Sequence, residues 1–204
     1  MSMNPAKHEG IWLRLYRGVG LTGLIAPVLV LVFLLVPIIP GEFPTIVAAE
    51  ILILGLFAMS FNLIYGYMGQ ITFGHAAFFG LGAYSTALTM RAFQSAFGQV
   101  GYIEFIVSMC TALPVAAAGA LVVGFFCVRL TGIYFALLTL AFGELIYYIV
   151  FSWYSFTKGD DGIHGIMPPG VFADLTNYYY LIMTTVIICS LMLWRIVNSP
   201  FGYT

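Results

Sequence analysis

A chain of 204 residues that is 62% hydrophobic and only 7% charged cannot be an ordinary soluble domain, in which about 25% of residues carry charge. Seven basic and eight acidic side chains are too few to cover the surface of a water-soluble protein of this length. The composition predicts an all-α, polytopic integral membrane protein, and the net charge of −1 carries no information about partners.

In chain order, residues 1–18 are polar and basic, with Lys7, Arg14 and Arg17 beside Glu9. Val19–Ile39 is an uncharged run of 21 residues, which as a helix reaches about 30 Å, the thickness of a hydrocarbon core. It is longer than the ~7–15 apolar residues of a cleaved signal, so it reads as a first span, with the basic segment 1–18 in the cytoplasm. Phe43–Tyr65 is a second span, interrupted by Glu50. Gly66–Gln70 is an uncharged connection, either a tight turn or a broken-helix segment; irregular backbone at membrane depth survives only where protein or water shields it. Residues 71–90 form a third span, Phe105–Val128 a fourth, Leu130–Trp153 a fifth and Asn177–Trp194 a sixth. Polar loops at 91–104 and 154–176 separate them. Six spans put both ends on one side, with Lys7, Arg14, Arg17, Arg129 and Arg195; the other side holds Arg91 and Lys158. The excess of Lys and Arg places the termini in the cytoplasm.

The third span is the densest in small residues. Ala76, Gly80, Ala83 and Ala87 recur at helical spacing, a pattern that lets helix backbones approach closely in lipid. A leucine at Gly80 is therefore expected to block assembly of the bundle or whatever path it encloses. Ala116, Ala120 and Gly124 make a second such stripe in the fourth span.

Catalytic patterns are missing. There is no His-Glu-x-x-His, no Gly-x-Ser-x-Gly and no Gly-x-x-x-x-Gly-Lys-Ser/Thr, so the chain does not bind ATP through a phosphate loop and is not expected to be an enzyme. The three histidines fall in separate segments, no metal is expected, and Cys110, Cys127 and Cys189 lie in apolar stretches as small hydrophobes. Three ionisable residues sit within spans: Glu50, His75 and Glu144. Such groups usually face a partner or a cavity, and a helix-packing role stands beside a pathway role for each. The turn-rich loop Thr157–Pro169 holds Asp160, Asp161 and His164, and reads either as a compact solvated turn or as a surface that meets a protein or solute outside the membrane.

Three stretches together resemble a known family: Gly66-Tyr-Met-Gly-Gln-Ile-Thr-Phe-Gly-His-Ala-Ala-Phe-Phe-Gly-Leu-Gly-Ala-Tyr84, Arg129-Leu-Thr-Gly-Ile-Tyr-Phe-Ala-Leu-Leu-Thr-Leu-Ala-Phe-Gly-Glu144 and Thr157-Lys-Gly-Asp-Asp-Gly-Ile163. With the closing Ser199-Pro-Phe-Gly202, their order and spacing are similar to the permease subunits of branched-chain amino acid ABC importers of the LivM type, a family that includes urea and amide permeases. The resemblance implies a non-catalytic subunit that carries no cofactor of its own. Its implied partners are a second permease subunit, two cytoplasmic ATPase subunits that hydrolyse ATP, and a periplasmic solute-binding protein. It implies a multi-pass protein of the bacterial inner membrane, surrounded by lipid and without a nucleic-acid partner. Gly74, His75, Ala76, Gly80, Ala83 and Glu144 become candidates for the translocation path or helix packing. Gly159, Asp160, Asp161 and Gly162 become candidates for docking the binding protein. Family members usually continue past Ser-Pro-Phe-Gly into a basic segment and further spans, so 19–204 is expected to be a permease domain incomplete at its C-terminal end. A secondary transporter or channel working without an ATPase, or a truncated accessory subunit, is the alternative function.

Overall fold

The computed structural model describes residues 27–199, and no strand occurs among them. The expected cytoplasmic segment 1–18, the first residues of the first span (19–26) and residues 200–204 lie outside the described residues. The helices are α1 (Pro27–Ile38), α2 (Glu42–Asn62), α3 (His75–Phe97), α4 (Tyr102–Cys127), α5 (Ile133–Ser152), the single turn α6 (Tyr154–Thr157) and α7 (Leu175–Val197). Four are long and apolar enough to cross a membrane: α2 with the π-helical turn Leu63–Tyr67 that extends it, α4, α5 and α7. The described residues divide into two units at Glu50/Ile51, a boundary that falls within α2.

In the first unit, α1 tightens into a 3₁₀ turn at Val36–Ile38, where Ile39 N–H donates to Val36 O at 3.0 Å. Gly41, at φ +120°, turns the chain before α2 begins.

The second unit is built on α3, α4 and α5. The pair α3 and α4 makes the most extensive contact, and each also meets α5. Small residues set these approaches. A Cβ on Gly82 would lie 3.7 Å from the Ala112 methyl, and one on Gly119 would lie 2.7 Å from Leu81 Cδ1. Such contacts replace the hydrophobic driving force that helices lack in lipid. Pro114 sits inside α4, one turn beyond Ser108 and Thr111, whose hydroxyls donate at 2.7 Å to the carbonyls of Glu104 and Ser108 respectively.

The ends of α3 differ most from the sequence expectation. α3 starts only at His75, because Gly69 to Gly74 run as irregular backbone, and it continues through Arg91 to Phe97. Arg91 is thus on the helix and the loop begins at Gly98, whose φ of +77° ends it. Outside these contacts the helices show large apolar side chains outward, among them Leu113, Leu121 and Phe125 on α4. In water such faces would aggregate; in a multi-pass membrane protein they meet lipid or other helices.

Candidate functional site

The irregular segment before α3 is held in place by α5. Gly132 N–H, at the start of α5, donates to Gln70 Oε1 at 3.1 Å. Phe73 N–H donates to Thr139 Oγ1 at 3.3 Å, while the same hydroxyl donates to Ala136 O at 2.9 Å. Gly74 is buried against the Thr139 carbonyl so closely that no Cβ fits, and a Cβ on Gly143 would come within 3.3 Å of Gly74 Cα. Gly69, at φ +65°, supplies the left-handed turn that releases the chain from the π-helical end of α2 into this segment. The connection is therefore a discontinuity whose backbone groups are met partly by α5, the condition for non-helical backbone in a membrane.

His75, the first residue of α3, packs against α2. Its Nε2 lies 2.8 Å from Ser60 Oγ, and its ring sits 4.9 Å from that of Phe57 and 5.7 Å from that of Phe61. The Ser60 hydroxyl also lies 2.8 Å from Phe57 O, to which it donates. His75 Nδ1 is buried with no partner among the described residues.

Above this crossing, α3 and α5 diverge around a cleft of about 360 Å³. Ala76, Gly80 and Tyr84 line it from α3, and Gly143, Glu144 and Tyr147 from α5. A Cβ on Gly80 would meet nothing within 4 Å, so this part of the small-residue stripe borders open space while Gly82 faces α4. Ala83 is exposed. Among the described residues that line the cleft, Glu144 is the only charged one; it is exposed, and no described residue gives it a hydrogen bond or ion pair. Gly159 lines the far end.

The loop 153–174 is ordered by its own hydrogen bonds. Thr157 Oγ1 donates to Val150 O at 2.5 Å and lies 2.9 Å from Trp153 O, folding the chain back onto the end of α5. Gly159, at φ +51°, passes so near Phe151 O that a Cβ would stand 2.7 Å from it. Tyr154 OH donates to Asp161 Oδ2 at 2.5 Å, and that hydrogen bond, with the carboxylate charge, raises the tyrosine above its usual range. Lys158 Nζ lies 5.6 Å from the Tyr154 ring centre. Asp160 and Asp161 are exposed and Gly162 is half-buried. Further on, Val171 N–H donates to Tyr102 OH at 3.0 Å, and Phe172 stacks on Phe105. Asp174 caps α7 by accepting from Asn177 N–H at 3.4 Å.

The structure thus gathers Ala76, Gly80, Glu144 and Gly159 around one cleft, sets Gly74 in the helix crossing beside it, and places His75 apart, at the start of α3 against α2. Asp160, Asp161 and Gly162 follow Gly159 at the cleft's end. Thr139, Gln70 and Ser60 carry the polar contacts of the region and were not singled out from the sequence; a lone threonine inside the apolar run 133–143 was the available signal. Among the described residues, no three His, Cys, Asp or Glu side chains gather as metal ligands.

Residues 43–204 match the family described as branched-chain amino acid transport system / permease component. The high-affinity branched-chain amino acid transport system permease protein LivM of Escherichia coli (strain K12) is 32% identical over 125 residues, covering 59% of this chain and 26% of that protein. The protein of the same description from Salmonella typhimurium (strain LT2) is 29% identical over 130 residues, covering 62% of this chain and 28% of its own length. The alignments therefore span little more than a quarter of these relatives. No solved structure gives a significant match. With most of its length covered by the family match, the chain belongs to the branched-chain amino acid transport system permease family.

Proposed function

We propose that the chain forms part of the membrane path of an ATP-driven importer for branched-chain amino acids or similar small polar solutes. The observation that carries this reading is the family match over residues 43–204. A second permease subunit, two cytoplasmic ATPase subunits and a periplasmic solute-binding protein complete the importer in this proposal, in a bacterial inner membrane with the N-terminus cytoplasmic. ATP is bound and hydrolysed by the partners. The cleft between α3 and α5 belongs to the translocation path, and Gly159, Asp160, Asp161 and Gly162 belong to the face on which the binding protein docks. The cleft's reach to Gly159 supports that pairing, because a solute released at the docking face would enter at that end.

Uptake measurements test the reading. A strain deprived of its own branched-chain amino acid uptake, supplied with the complete gene and its partner genes, is expected to regain leucine uptake that stops on ATP depletion and survives collapse of the ion gradient. Uptake with the opposite dependence would assign a gradient-driven carrier. Co-purification with the ATPase in the absence of any uptake would assign an accessory subunit.

A further inference from the structure

We infer that Glu144 is the group in the α3/α5 cleft that receives the ammonium of an amino-acid solute, while the apolar lining receives its aliphatic side chain. The inference rests on the importer reading and names the chemistry of one point on its path. α5 has 20 residues, a length of about 30 Å, and Glu144 stands about 16 Å from its start, near mid-membrane. A carboxylate at that depth requires a cation, a hydrogen-bond donor or water. None of the described residues offers Glu144 an ion pair, and no other charged residue lines the cleft.

The rest of the cleft fits the aliphatic part of such a solute. Its volume of about 360 Å³ falls in the range of small-ligand sites, about 300–1,000 Å³. Its surface is mostly apolar: Ala76, Gly80 and Gly143 leave the space, and Leu140 and Val150 supply aliphatic contact. An apolar cleft with one carboxylate suits the ammonium and the short hydrocarbon chain of such a solute, and repels a molecule that has a carboxylate but no ammonium. Small residues around the acid also leave room for the ammonium to come within hydrogen-bond distance without rearrangement, since a Cβ on Gly80 would meet nothing.

The test compares the parental protein with Glu144→Gln and Glu144→Asp in the complete transporter, held in lipid nanodiscs without the binding protein. Radiolabelled leucine and radiolabelled isocaproate, which keeps leucine's chain and carboxylate but lacks the ammonium, are the probes. Glu144→Gln is expected to assemble with its partner subunits. Its leucine retention should fall about tenfold or more, isocaproate retention should hold or rise because the anion loses a like charge, and Glu144→Asp should recover most of the leucine retention. Equal leucine retention by parental protein and Glu144→Gln overturns the inference. So does loss of assembly in the Gln variant with recovery in Asp, which would make the carboxylate a subunit contact. The importer reading fails separately, if the parental protein shows no ATP-driven uptake in proteoliposomes with its binding protein, and the leucine–isocaproate comparison still judges Glu144.

Discussion

Gly74 and Gly80 lie less than two helical turns apart, yet a side chain added at each meets opposite surroundings. At Gly74 a Cβ would run into the Thr139 carbonyl, which belongs to a helix backbone and cannot swing aside. At Gly80 it would enter the open cleft. Gly74→Leu is therefore expected to push α3 off α5, at a cost of about 1–3 kcal/mol or more, and to lower both yield and melting temperature in detergent. Gly80→Leu should leave melting temperature and assembly near parental while filling the cleft and, on the proposed reading, stopping solute uptake. Parallel melting and uptake measurements on the two variants check this; equal destabilisation would mean that Gly80 is a packing residue after all. The expected stripe Ala76–Gly80–Ala83–Ala87 was visible in the sequence, because helical spacing fixes which residues share a face. Which face packs and which borders a cleft was not visible, since Gly80 and Gly82 differ only in the neighbour that the fold supplies.

At the scale of elements, the segment Gly69–Gly74 and the start of α5 behave as one piece. Two polar contacts join them, Gly132 N–H to Gln70 Oε1 and Phe73 N–H to Thr139 Oγ1, on either side of the point where the extended backbone enters the bundle. Thr139→Val keeps the shape of the side chain and removes the acceptor, leaving a backbone N–H without a partner in an apolar setting. A loss of about 1–2 kcal/mol is expected, while Thr139→Ser, which keeps the hydroxyl, should stay close to parental. Denaturation in detergent micelles, with hydrogen exchange at Phe73, measures both. Unchanged exchange in the Val variant would show that the segment holds without α5. The break between α2 and α3 was legible as one of two possibilities, because uncharged glycine-rich backbone in a membrane must be either very short or shielded. The shielding itself was not legible: Gln70 and Thr139 are far apart in sequence, and hydrogen bonds between distant positions leave no periodicity.

For the whole molecule, the relative placement of the loops follows from contacts, and their absolute sides follow from charge. Gln70 and Gly132 meet at one end of the α3–α5 group, and Tyr102 meets Val171 at the other. These pairings require α3, α4 and α5 to alternate in direction. They do not say which end is inside. Arg129 and Arg195 flank the first end and Arg91 and Lys158 the second, a balance that orients nothing. The bias comes from Lys7, Arg14 and Arg17, ahead of the first apolar run, where basic residues weigh most in setting orientation. We therefore expect the end with Thr131 to be cytoplasmic and the end with Asp160 to face out. With Cys110, Cys127 and Cys189 first replaced by Ala, a single cysteine at Asp160 should react in outer-membrane-permeabilised cells with a maleimide that cannot cross the inner membrane. One at Thr131 should react only after the inner membrane is opened. The reverse pattern would invert the assignment, and with it the proposal that the loop from Gly159 to Gly162 receives a periplasmic binding protein, because that loop would then stand on the side of the ATPases.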